Sequence, residues 1–124
     1  MKITALTGIS PTNISGLVKN HIKTFNLKNF SNVLALTSLN VGDFVFITDV
    51  AKEDIISGTE GIVAQIKKLT IYSQKENPAY FEEIDSIVAK VQLEVVGYGV
   101  CVNAVNTDIL NPSIVMVKIK SIYG

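Results

Sequence analysis

The segment Phe44-Val45-Phe46-Ile47 is apolar at every position. Successive side chains of a strand leave on opposite faces, so a run without alternation has to be covered on both sides. A chain carrying such a strand cannot settle as a sheet with one wet face; it needs packed material above and below. Val41-Gly42-Asp43 introduces the strand, read over Asp43–Val50. Gly admits positive φ there and Asp hydrogen-bonds the amides that follow.

A core of that kind draws on branched apolar residues, and Ile (16) with Val (15) makes up 31 of the 124 residues. Such side chains pack well on a pleated surface and lose rotamer freedom on a helix, which favours a sheet. With 48% hydrophobic and 18% charged residues the chain is neither disordered nor collagen-like. Its length suits a single domain over residues 1–124.

A first strand is expected over Lys2–Thr7. Ser10 then stands as N-cap and Pro11 as first residue of a helix over Pro11–Asn20, with Ile14, Leu17 and Val18 at helical spacing. His21–Leu27 alternates as a short strand. Phe30–Leu39 reads as a short helix, capped by Ser31 or Asn29, with Phe30, Val33, Leu34 and Thr37 on one face. After a polar excursion over Ala51–Glu60, Gly61 opens a long strand in which Ile62, Ala64 and Ile66 point one way. Beyond Lys67-Lys68 the apolar positions are Leu69 and Ile71, of opposite parity. A β-bulge produces a slip of this kind, and a bulge bends a strand as barrel closure requires.

Ser73–Asp85 reads as a second excursion, followed by Ile87, Ala89, Val91, Leu93 and Val95 pointing inward. Gly97-Tyr98-Gly99 permits a sharp bend before another strand through Val100, Val102 and Val105, and a last strand covers Ser113–Tyr123. The expected fold is mainly β (α+β): six or seven strands in a small, partly open barrel, with two short helices near the N-terminus.

Charge and chemistry exclude more than they select. Eleven Lys balance eleven Asp plus Glu, and there is neither Arg nor Trp. No net charge draws the chain to nucleic acid or lipid, and the side chains most used for bidentate phosphate contacts and stacking are missing. One His and one Cys, 80 positions apart, supply no metal-ligand spacing and no Cys-His nucleophile. Neither a catalytic group, a metal nor a cofactor is expected. Glu53/Asp54 and Glu82/Glu83 are adjacent acids in polar loops, read as solvated charges. Gly58-Thr59-Glu60-Gly61 lacks the lysine and spacing of a phosphate loop and reads as a hairpin turn. Tyr72, Tyr80, Phe81 and Tyr98, in or beside loops, offer either a base-stacking platform or barrel-end packing, the second being favoured. The lone cysteine, the polar N-terminus and the lack of an apolar run near ~20 residues lead to the expectation of a soluble, cytoplasmic protein.

Several blocks carry a resemblance: Ala5-Leu6-Thr7-Gly8-Ile9-Ser10, Val41-Gly42-Asp43-Phe44-Val45-Phe46-Ile47-Thr48, Lys52-Glu53-Asp54, Gly58-Thr59, Gly61-Ile62-Val63-Ala64, Pro78-Ala79-Tyr80 and Gln92-Leu93-Glu94-Val95-Val96-Gly97-Tyr98-Gly99. In these the chain resembles an uncharacterised archaeal family, the domain of unknown function numbered 473, which implies an archaeal cytoplasmic protein and no established activity. More distantly, Leu39 to Ala64 is similar to the PUA-like folds, small pseudobarrels that often bind RNA or modified bases beside the barrel.

The function expected from that likeness is a non-catalytic binding module for RNA or a nucleobase-like ligand. The alternatives are a small-molecule-binding or catalytic domain using the loops Ala51–Glu60 and Gln74–Asp85, and a partner subunit with no nucleic-acid role. The expected site lies where the polar excursions meet: Lys52 on phosphate, Tyr80 stacking, Glu53 or Thr59 on a base edge.

Overall fold

The computed structural model describes residues 1–76, 84–104 and 113–122. Among these residues six strands and two helices follow one another as β1 (Lys2–Leu6), α1 (Pro11–Asn20), β2 (Ile22–Leu27), α2 (Phe30–Thr37), β3 (Phe44–Ile47), β4 (Glu60–Glu76), β5 (Ile84–Ala104) and β6 (Ile114–Ile122), with a 3-10 turn at Lys52–Asp54. The sheet order is β2-β5-β4-β3-β1-β6, and β6 also pairs with β5. Strands β5, β4, β3, β1 and β6 therefore close a ring, and β2 lies outside it on β5. Every pairing is antiparallel except β1 with β3, whose connection carries both helices and β2.

The helices form for the reasons their ends announce. Ser10 takes an extended conformation and its hydroxyl accepts the Asn13 amide, with Pro11 opening α1. The helix ends at Asn20, as expected: His21, the next residue, adopts φ +65, the left-handed conformation that ends a helix. Asn29, rather than Ser31, caps α2 through the Asn32 amide. The buried face of α2 is Asn32, Val33, Ala35 and Leu36, not the expected Phe30, Val33, Leu34 and Thr37.

Two apolar cores result. The outer core lies between the helices and the sheet and includes Leu17, Leu36, Val45, Ile47, Ile62, Ala64, Ile66, Val91 and Leu93. The inner core fills the ring with Ala5, Phe46, Val63, Cys101, Val115 and Val117, to which each of the five ring strands contributes. β3 separates them, Val45 and Ile47 facing the helices and Phe46 the ring, as its unbroken apolar run requires. It is shorter than Asp43–Val50, because the sheet pairing of β3 ends at Ile47.

The bulge expected at Lys67-Lys68 is present: Ile66 pairs with Leu93 and Lys68 with Gln92, leaving Lys67 as the extra residue. A second irregularity lies between Val63 and Ala64, whose partners Gly97 and Val95 skip Val96. Val96 packs against the inner core while Val95 belongs to the outer one. Here β5 also exchanges partners, pairing with β2 through Ala89–Glu94 and with β6 from Gly97 onward. Gly97 is required by this closure, since a Cβ there would collide with the Ser121 carbonyl oxygen.

Three expectations about this region are corrected. The strands expected through Ile87–Val95 and from Val100 onward are one strand as far as Ala104, because the bend at Gly97 does not interrupt the ladder with β4; Val105 lies outside the described residues. The excursion Ser73–Asp85 is shorter, since the ladder continues to Glu76 opposite Ile84; backbone pairing is indifferent to the polarity that suggested a loop. Ile87 is 51% exposed although its parity is inward, because the hairpin there runs past β2, whose pairing ends opposite Ala89.

Candidate functional site

The expected residues Lys52 and Glu53 lie on the 3-10 turn after β3, held by the Asp54 amide donating to the Ala51 carbonyl at 2.9 Å. Opposite this turn the chain leaves β1 through Gly8, which adopts φ +62. The Gly8 amide donates to the Val50 carbonyl at 2.9 Å and the Ile9 amide to the Thr48 carbonyl at 3.1 Å, so the parallel contact of β1 and β3 outlasts both strands. The first turn of α2 forms the third wall. Asn32, 2% exposed, fixes it: its Oδ1 accepts the Thr7 amide at 2.9 Å and its Nδ2 donates to the Thr7 carbonyl at 2.8 Å. One side chain thus satisfies both backbone groups of a buried residue, as a neighbouring strand would.

These three walls enclose a cleft of about 370 Å³ lined by Thr7, Gly8, Asn29, Phe30, Ser31, Ala51, Lys52 and Glu53. Phe30 is 68% exposed. A large aromatic left in water is more informative than a buried one, because nothing in the core requires it there. The cleft combines a ring face, a cation, a carboxylate and several small polar groups, the equipment for holding a planar polar ligand. Among the described residues no three His, Cys, Asp or Glu side chains come together around a metal position.

The other expected residues fare differently. Thr59 is buried, its hydroxyl accepting the Ile56 amide at 3.0 Å, and it is not part of the cleft lining. Its carbonyl accepts the Cys101 amide at 2.7 Å, which ties the turn to β5. Tyr80 lies outside the described residues, as do Phe81, Glu82 and Glu83. Tyr72 and Tyr98 stand within β4 and β5 rather than in loops. Glu53 and Asp54 do sit on a solvent-facing turn, as expected.

The sequence reading missed Phe30 and Asn32. The spacing of Phe30 from Val33 suggests a buried helix face, a signal that cannot distinguish a helix end projecting beyond its support. Asn32 lies on the face that the structure buries and off the expected one, so its polarity carried no signal until that face was known. The thiol of Cys101 is buried, and burial pushes its pKa above the ordinary range against a smaller opposing effect from the Asn103 backbone. Among the described residues no helix is long and apolar enough to cross a membrane.

Comparison with known proteins gives a relative, described as uncharacterized protein MJ0105, from Methanocaldococcus jannaschii. It is 40% identical over 102 residues, 82% of this chain and 66% of the relative. The chain therefore spans about two-thirds of that protein's length. No solved structure matches. A family model described as "Protein of unknown function (DUF473)" matches residues 1–115, and the chain belongs to that family.

Proposed function

We propose that the protein is a non-catalytic binding module whose cleft takes a nucleobase-like ligand. The observation that carries this reading is the juxtaposition, across one cleft, of the exposed Phe30 ring with Lys52 and Glu53. In this arrangement Phe30 stacks on the ligand plane, Glu53 accepts from a base-edge amine and Lys52 meets phosphate or a ring carbonyl. Phe30 takes the stacking role assigned from sequence to Tyr80, and Thr59 serves the turn that orients the loop. The closed strand ring and the order of blocks from Leu39 to Ala64 support the PUA-like likeness, and with it an RNA-derived base as ligand.

Ligand-observed NMR with free nucleosides and bases tests the proposal. Saturable binding should weaken about tenfold or more in Phe30→Ala, since stacking on one aromatic contributes roughly 1–3 kcal/mol. No saturation at millimolar ligand, or indifference to Phe30→Ala, would overturn it. The partner-subunit reading has an observation of its own: Phe30, Leu34 and Ile87 also line a neighbouring concavity of about 310 Å³. It would then take precedence.

A further inference from the structure

The bulge at Lys67 has a consequence on the sheet face turned away from the helices. Ile66 and Leu69 face the outer core, and the extra residue between them leaves both Lys67 and Lys68 exposed. Lys67 Nζ lies 3.7 Å from Glu94 Oε2. In the ladder Gln92 stands between Thr24 and Lys68, and Lys90 between Asn26 and Thr70. Lys68 and Lys90 are thus diagonal neighbours on one face, around a depression of about 290 Å³ lined by Thr24, Lys68, Thr70, Lys90 and Gln92.

All five residues can donate hydrogen bonds and none is acidic. The nearest described carboxylate on this face, Glu94, is engaged by Lys67. Like charges side by side on a sheet repel, and here no described carboxylate offsets the pair. Tyr72, two residues beyond Thr70 on the same strand face, is 39% exposed.

We infer that this face binds the phosphodiester backbone of a single-stranded nucleic acid. Lys68 and Lys90 meet successive phosphates, Thr24, Thr70 and Gln92 donate to their oxygens, and Tyr72 stacks on a base. A single strand fits better than a duplex, because the exposed Tyr72 ring stacks only on a base that is unpaired. This site shares no residue with the Phe30 cleft.

Fluorescence anisotropy of the full chain with labelled ten-nucleotide oligo(U) and oligo(dT), at several salt concentrations, tests the inference and separates RNA from DNA. At least one should bind. Lys68→Gln with Lys90→Gln should weaken binding about tenfold or more at low salt. It should also reduce the salt slope by about 1.4, two phosphates at ~0.7 each. Glu94→Gln, which releases Lys67, should tighten binding and steepen the slope. Lys118→Gln with Lys120→Gln, the same change of charge on β6, should leave binding unchanged. Circular dichroism confirms that each variant is folded. Absence of binding by either oligomer at low salt, or equal weakening by the two lysine pairs, would overturn the inference. Phe30→Ala should be silent in this assay, so failure here and failure of the nucleoside reading are told apart.

Discussion

With Oδ1 2.9 Å from the Thr7 amide and Nδ2 2.8 Å from the Thr7 carbonyl, Asn32 replaces a neighbouring strand for one residue. Asn32→Ala strands a buried donor and a buried acceptor, each costing about 1–3 kcal/mol. Urea denaturation should accordingly show a loss of about 2–6 kcal/mol; a loss under about 1 kcal/mol would mean that water replaces both contacts. Cys101 makes a second residue-scale prediction. Its thiol is held above the ordinary range by burial, whereas the unfolded thiol ionises near about 8.5. The unfolded chain then loses this proton first, so the contribution is complete below that pH and is lost as pH climbs beyond it. The stability difference between the native chain and Cys101→Ala should change between pH 7 and pH 9.5 in favour of the variant. Thiol reagents should label Cys101 quickly only after unfolding.

At the scale of elements, β3 shows what a pattern can reveal by itself. Phe46 is fully buried in the ring while Val45 and Ile47 are fully buried under the helices. Phe46→Ala should cost roughly 3–5 kcal/mol, the usual range for a buried Phe. A calorimetric loss near zero would place one face of β3 in solvent. The parity slip at Lys67-Lys68 was equally legible, because a half-buried strand has to keep its apolar side inward across an inserted residue. The continuity of β5 was not legible. Polar residues of a long hairpin look like loop residues, since backbone pairing leaves no trace in side-chain polarity. Gly97 read as a bend; that it is also the point of contact with β6 depends on a residue 24 positions away.

For the whole molecule, closure by β6 is the decisive step. It joins β1 to β5, brings Val115, Val117 and Ile119 to the inner core, and receives the Met1 ammonium on the Val117 carbonyl at 3.2 Å. Removing residues 113–124 should leave Ala5, Phe46 and Val63 without the packing of Val115, Val117 and Ile119. The truncated chain is expected to lose its cooperative thermal transition, and a transition retained near the original Tm would show that the ring is not needed for stability. The two cores share β1, β3, β4 and β5, so substitutions in either should lower one common Tm rather than split the transition. Chelator should leave that Tm unchanged.

Local chemistry and periodicity by themselves determined the Ser10-Pro11 helix start, the doubly buried strand, the bulge and the β-rich class. Each is decided within a few residues by sterics, capping or the two-residue period of a strand. The tertiary structure alone decided that β5 is one strand with two partners, that Phe30 projects into water and that Asn32 serves Thr7. It also decided that Lys52 and Glu53 face α2 while Thr59 does not. Those outcomes depend on which distant segments meet, and strand order and ring closure, rather than any local pattern, fix such meetings.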